Sequence, residues 1–289
     1  MTTTRRVELA GRGIGLAVLE AGAGGRPLLV LHGFAAAKED WADGLDDIAS
    51  RGWHVVVPDQ RGCGTSDHPD GLESYSMAIV ADDALALADA LGWERFVLLG
   101  QSQGGMVAQL VALAAPERLD ALVLVGTSAR KPDGVDPQMV ATGQQVVADG
   151  GLELLIELQA KTDDPLSTPA HRRLLAERPG YAEYGAAKLR ACSPEMWRSM
   201  LGDMVDQPDR TEALRTLAVP TLVAVGALDH MFLADSEALA ATIPAAHLAV
   251  IEEAGHSVQL ENPERWQATL FEFLTPPTRR ATSGCDGES

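Results

Sequence analysis

The chain is short of cysteine, short of positive charge and without any long apolar run, and each shortage removes a class of protein. Three cysteines in 289 residues, Cys63, Cys192 and Cys285, are too few for a disulfide framework. They are odd in number, far apart in sequence and in no metal-ligand spacing. That usage fits a reducing compartment and leaves all three structural or incidental. Lys and Arg total 23 against 41 Asp and Glu, a formal charge of −18. Such a balance repels phosphate backbones and anionic lipid, so neither nucleic acid nor a membrane surface is an expected partner. No segment approaches the ~20 apolar residues of a membrane-spanning helix. The opening stretch, broken by Glu8, Arg12 and several glycines, has no continuous signal-peptide core. A cytoplasmic protein acting on a small molecule is the expectation, with its oligomeric state left open.

What is present is enough apolar residue, 46%, for one large core or one domain carrying an insertion. Short apolar runs recur at Leu28 to Leu31, Val55 to Val57, Phe96 to Leu99, Leu122 to Val125, Leu222 to Val225 and Leu248 to Ile251. Runs without polar alternation fit parallel strands buried on both faces. Helical patterns lie between them: Ser76 to Leu91, Gly104 to Ala115, Asp235 to Thr242, and Pro263 to Leu274 with Asn262 as N-cap. The succession predicts an α/β fold with a mostly parallel central sheet and helices on both faces. Val7 to Glu20 reads as an antiparallel hairpin at the sheet edge. The rhythm fails between Ser128 and about Leu217, where helical patterns follow one another (Pro137 to Ala148, Leu152 to Lys161, Tyr181 to Ala191, Pro194 to Val205) with no strand between them. The chain returns through Asp209, read as an N-cap, and the Val219-Pro220 junction. Residues 1–128 and 217–276 are therefore expected to form the core, 129–216 an inserted helical cap, and 277–289, which lacks apolar periodicity, a disordered tail.

Gly100-Gln101-Ser102-Gln103-Gly104 fits G-x-S-x-G. With 28 glycines in the chain a bare match arises by chance in roughly one such sequence in ten, so the pattern alone decides little. Its place between a strand and a helix decides more. A sharp turn there lifts a serine hydroxyl above the sheet, and side chains at Gly100 or Gly104 would obstruct it. His32-Gly33-Phe34 follows the first buried strand, where the N–H groups of Phe34 and Gln103 can form an oxyanion site, with His32 bracing the loop. Asp229 follows the strand Leu222 to Val225 and His256 follows Leu248 to Ile251, so serine, aspartate and histidine all emerge at the C-terminal edge of the sheet.

These motifs, with Pro58-Asp59-Gln60-Arg61-Gly62-Cys63-Gly64-Thr65-Ser66-Asp67, resemble the α/β-hydrolase superfamily over almost the whole chain outside the insertion. Gly126-Thr127-Ser128-Ala129 and the general layout are similar to 3-oxoadipate enol-lactonases and small-molecule esterases. The resemblance implies an α/β-hydrolase fold, a catalytic Ser102, Asp229 and His256, and no metal or organic cofactor; in such proteins the Arg61-Gly62 loop is structural, so Asp59, Cys63 and Asp67 are given no chemistry. Ser102 stands where haloalkane dehalogenases and epoxide hydrolases carry aspartate. Ser257 follows His256 where carbon–carbon hydrolases of ring-fission products usually carry tryptophan, and the Gly-Gly-Ser-Trp-Gly elbow of prolyl iminopeptidases is missing. The expected reaction is hydrolysis of a small ester or lactone through an acyl-enzyme, the alternatives being carbon–carbon hydrolysis, acyl transfer or perhydrolysis with the same triad, or a non-catalytic ligand receptor. Met106, Met231, Phe232 and Val258 from the core, with Trp197 and some of Met139, Leu152, Leu155, Tyr181 and Met200 from the cap, are the expected pocket wall.

Overall fold

The structure, a computed structural model, describes residues 1–132, 135–161 and 167–275. Its strands are β1 (Thr3–Leu9), β2 (Ile14–Ala21), β3 (Arg26–Leu31), β4 (Trp53–Pro58), β5 (Phe96–Gln101), β6 (Leu119–Val125), β7 (Thr221–Gly226) and β8 (Ala246–Ile251). They form one sheet in the order β1-β2-β4-β3-β5-β6-β7-β8. The β1/β2 hairpin and the β2/β4 pair are antiparallel, and every other pairing is parallel.

The helices are α1 (Ala42–Ser50), α2 (Met77–Ala90), α3 (Gln103–Ala114), α4 (Pro137–Gln159), α5 (Pro169–Glu177), α6 (Tyr181–Arg190), α7 (Pro194–Asp206), α8 (Thr211–Leu214), α9 (Leu233–Thr242), α10 (Val258–Glu261) and α11 (Pro263–Leu274). Alternation along the strands sorts the core into two layers. Leu29 and Leu31 face the side packed by α2, α3 and α9, whereas Leu28 and Val30 face α1 and α11. Parallel strands need such cover on both faces, because each side of the sheet is apolar. Ser76 and Asn262 cap α2 and α11 by accepting from the N–H groups of Ile79 and Arg265.

Among the described residues five helices, α4 to α7 and the short α8, fill the interval between β6 and β7. The two helical patterns expected before Lys161 form one element broken at Gly151, whose φ of 68° interrupts the helical backbone. Asp209 accepts from Thr211 N at 2.8 Å, at the start of the short return helix α8. The structure corrects three expectations. Strand β8 is an edge, and its outward Leu248 and Val250 are 43% and 39% exposed because no strand pairs beyond them. Helices α1 and α5 were not foreseen. Cys63 and Cys192, remote in sequence, are neighbours, because the α6–α7 junction packs on the turn after β4: Ser193 N donates to Gly62 O at 2.7 Å. Cys285 and the expected tail 277–289 lie outside the described residues. Among the described residues no helix is long and apolar enough to cross a membrane.

Candidate active site

Ser102 sits between the last residue of β5 and the first of α3, with φ 54° and ψ −121°. A β-carbon makes that region costly, about 1–3 kcal/mol, and surrounding bonds must hold it there. Ser102 N donates to Val125 O at 2.8 Å on the neighbouring strand. Its carbonyl accepts from Gly105 N at 2.9 Å, Met106 N at 3.1 Å and the Thr127 hydroxyl at 2.8 Å. The turn is tight enough that a Cβ on Gly100 would stand 2.2 Å from Gly104 O, and one on Gly104 2.3 Å from Leu31 O. Both glycines are therefore required by close approach of backbone to backbone.

Asp229 follows β7 and His256 follows β8. The imidazole Nδ1 lies 2.8 Å from Asp229 Oδ2, and both residues are buried. The other carboxylate oxygen, Oδ1, accepts from Phe232 N at 3.2 Å, which fixes the plane of the carboxylate. Phe232 stacks on the imidazole with centroids 5.0 Å apart and planes 24° from parallel. Gly126, at φ 51°, closes the gap toward the serine: a Cβ there would lie 3.1 Å from Asp229 Oδ2 and 3.3 Å from His256 Nδ1. Because Thr127 next to it is bonded to the Ser102 carbonyl, the serine turn and the aspartate–histidine pair share one two-residue wall.

Above the serine runs the loop after β3. A Cβ on Gly33 would approach Ser102 Cβ to 3.3 Å, so glycine lets this loop descend onto the elbow. The amides of Phe34 and Gln103 donate to no protein acceptor among the described residues. Unused N–H groups beside a raised serine are what an oxyanion would need. His32 is buried and braces the loop: Gln60 N donates to its Nε2 at 3.1 Å, so Nδ1 carries the proton given to Gly33 O at 2.8 Å. Burial lowers its pKa, outweighing the bond to Gly33, and the ring is held neutral. Below the same loop, Asp59 accepts from Lys38 Nζ at 2.6 Å, Lys38 N at 3.0 Å and Thr65 N at 3.1 Å. Asp40 joins the loop to α6 by accepting from Ala37 N at 3.2 Å and from Lys188 Nζ at 2.8 Å.

The expected pocket residues fall into two groups. Trp197 packs on Phe34 at 5.6 Å between centroids, and Phe232 and Met231 belong to the same face of the sheet. Leu152, Leu155 and Met200 are buried in that cluster, and Gln103 Nε2 reaches Met200 O at 3.5 Å, tying α7 to the elbow. Tyr181 is half-buried on α6, beside Lys188. Met106 is fully buried in the body of α3, with Gln207 Nε2 3.3 Å from its sulfur. Val258 is placed elsewhere, in the opposite layer with Ala254, Trp266 and Leu270, because α10 turns it under the sheet edge. Met139 is 66% exposed on the outside of α4.

Two residues that support His256 were not foreseen. Gln101 Nε2 donates to His256 O at 3.0 Å, and the Glu261 carboxylate accepts from Gly255 N. Gln101 is the polar end of an otherwise apolar strand, which was the one signal available; nothing local marked Glu261.

A family model described as alpha/beta hydrolase fold matches residues 26–263. A thermophilic esterase from Thermogutta terrifontis shares 32% identity and superimposes with a TM-score of 0.80, covering 94% of this chain and 98% of its own. A 2-hydroxymuconate semialdehyde hydrolase from Pseudomonas putida is 31% identical over 256 residues, 86% of this chain and 87% of that protein. An epoxide hydrolase A from Mycobacterium tuberculosis is 27% identical over 91% of this chain and 95% of its own.

Proposed function

The chain belongs to the alpha/beta hydrolase fold family, and on that premise we propose that it is a serine hydrolase cleaving a carboxylic ester or lactone of a small, partly apolar molecule. The observation that carries the reading is the buried 2.8 Å contact of Asp229 with His256 beside a serine held at positive φ. His256, with Nδ1–H donated to Asp229, presents Nε2 as the base that takes the Ser102 proton as its oxygen attacks the carbonyl. The developing oxyanion is received by the amides of Phe34 and Gln103. His256 then protonates the leaving alcohol, and a water activated by the same imidazole releases the acid from Ser102.

The resemblance to an epoxide hydrolase does not extend to the attacking group. A carboxylate nucleophile is suited to opening a strained ether at carbon, whereas a serine alkoxide with oxyanion donors is suited to acyl transfer. Carbon–carbon hydrolysis with the same three residues is the second reading, favoured by the 31% identity to a semialdehyde hydrolase. Helices α4 to α7 act in either case as a lid, with Trp197 set against Phe34 where the acyl group would lie.

A fluorophosphonate tests the assignment directly. Peptide mapping should find one adduct, on Ser102, and the Ser102→Ala protein should be inert toward activated esters, lactones and vinylogous diketones alike. An adduct on another serine, or full turnover without the Ser102 hydroxyl, overturns it. The ranking of the three substrate types separates the two readings.

A further inference from the structure

The mechanism leaves two thiols unused. Cys63 lies in the turn after β4 and Cys192 at the junction of α6 and α7, roughly 130 residues further along the chain. Both are free, and they are only 3% and 5% exposed. The backbone bond from Ser193 N to Gly62 O fastens the two segments immediately beside the cysteines. The fit is close, since a Cβ on Gly62 would stand 2.6 Å from Met196 Cβ. Cys192 Sγ donates to Lys188 O at 3.4 Å. Each partner comes from a different part of the molecule, the core turn and the helical segment.

We propose that Cys63 and Cys192 are a modification site, at which a peroxide joins the two sulfurs in a disulfide that covalently pins the α6–α7 junction to the core. One thiolate attacks the peroxide oxygen, giving a sulfenic acid and expelling hydroxide from hydrogen peroxide. The second thiolate attacks that sulfur and displaces a second hydroxide. Two thiols and one hydrogen peroxide thus yield one disulfide and two waters, with the sulfurs oxidised and the peroxide reduced. The hydrogen bond to Cys192 and burial raise the Cys63 thiol pKa, so thiolate is scarce and the pair stays reduced unless oxidant persists. The bond from Ser193 N to Gly62 O holds the two cysteine backbones side by side, so little movement is needed to join them. The closed loop of about 130 residues is long, which favours a large loss of freedom in the unfolded chain.

The experiment uses the full chain with Cys285→Ser, so that no third thiol competes. After hydrogen peroxide under native conditions and alkylation under denaturing ones, a non-reducing digest should contain a Cys63–Cys192 linked peptide, lighter than the two separate thiol peptides by two hydrogens. The oxidised protein should melt on the order of 5–10 °C above the reduced one, and dithiothreitol should restore the lower value. Sulfinic acid at either cysteine without the link, links only between separate chains, or a linked protein with an unchanged melting temperature would each overturn the proposal. Neither readout depends on turnover, so its failure leaves the hydrolase reading untouched.

Discussion

Replacing Asp229 by asparagine should do more than remove a charge, because the structure dictates which way the new amide will face. Asp229 Oδ1 accepts from Phe232 N at 3.2 Å, and Oδ2 faces His256 Nδ1 at 2.8 Å. An asparagine keeps its carbonyl oxygen on the Phe232 N–H, since turning it over would set two donors against each other. Phe232 N would keep only its other branch, to Asp229 O at 3.2 Å, and face an N–H in place of an acceptor, at a cost of about 1–3 kcal/mol. The amide nitrogen therefore falls opposite Nδ1 and donates to it. The imidazole proton is forced onto Nε2, the atom that must accept from Ser102. The productive arrangement is then held to about one molecule in ten to one in a hundred. Loss of the carboxylate beside the imidazolium removes a charge-assisted bond as well. Together the two effects should lower kcat by roughly a thousandfold to ten-thousandfold, or about 4–5.5 kcal/mol in the barrier. The assay is steady-state hydrolysis of an activated ester, with Asp229→Ala as control for the volume and circular dichroism for the fold. Asp229→Asn should be no better than Asp229→Ala, although it is the closer isostere. Turnover within tenfold of the parent in a folded Asp229→Asn protein would refute the orientation argument and the role of Asp229 together.

Trp197→Ala opens space against Phe34. It should shift kcat/KM toward longer acyl chains by about tenfold and cost roughly 3–5 kcal/mol of stability, while an unchanged substrate ranking in denaturant-characterised protein would clear Trp197 of a role in specificity. His32 is held neutral by burial, so its folded pKa lies below the unfolded one. The unfolded chain then binds the extra proton, and the stability is complete above about pH 6.5 and falls as pH drops through that value. Between about pH 7.5 and pH 5.5 this one group should cost up to ~1.4 kcal/mol, read as the difference between the parent and His32→Gln in urea unfolding at the two pH values. Equal pH dependence in the two proteins would mean that His32 takes up a proton in the folded state.

The parts of the molecule that were legible in the sequence are those whose cause is local. Strands β3 to β7 announce themselves because a strand covered on both faces has no reason to carry a polar residue. The elbow is legible because a serine forced to positive φ needs glycines within two residues on either side. Strand β8 carries a similar apolar run, yet its place at the edge is a matter of how many neighbours exist, which no short window contains. Helix α1 buries only Leu45 and Ile48 and α5 only Ala170 and Leu174, so each apolar face is two residues long in a helix of nine and too brief to stand out along the sequence. The support of His256 depends on Gln101, 155 positions away, and the thiol pair joins the turn after β4 to the far end of α6. Val258, expected in the pocket wall from the core side, lies instead in the opposite layer. It opens α10 and packs there with Ala254, Trp266 and Leu270.

The chain leaves the sheet at the end of β6 and comes back as β7, the strand next to it, with Leu122 paired to Thr221 and Val125 to Ala224. To the sheet, everything between these strands is a closed excursion whose exit and entrance are side by side. Closure entropy grows only with the logarithm of the excursion's length, about 0.6 kcal/mol per doubling. Ser102 and the Phe34 loop come before the excursion, and Asp229 and His256 come after it. An exchange of α4 to α7 for an unrelated helical segment leaves every reacting atom on the same eight-stranded frame. On the proposed reading, changes confined to this one contiguous stretch alter which molecules are admitted without touching Ser102, Asp229 or His256.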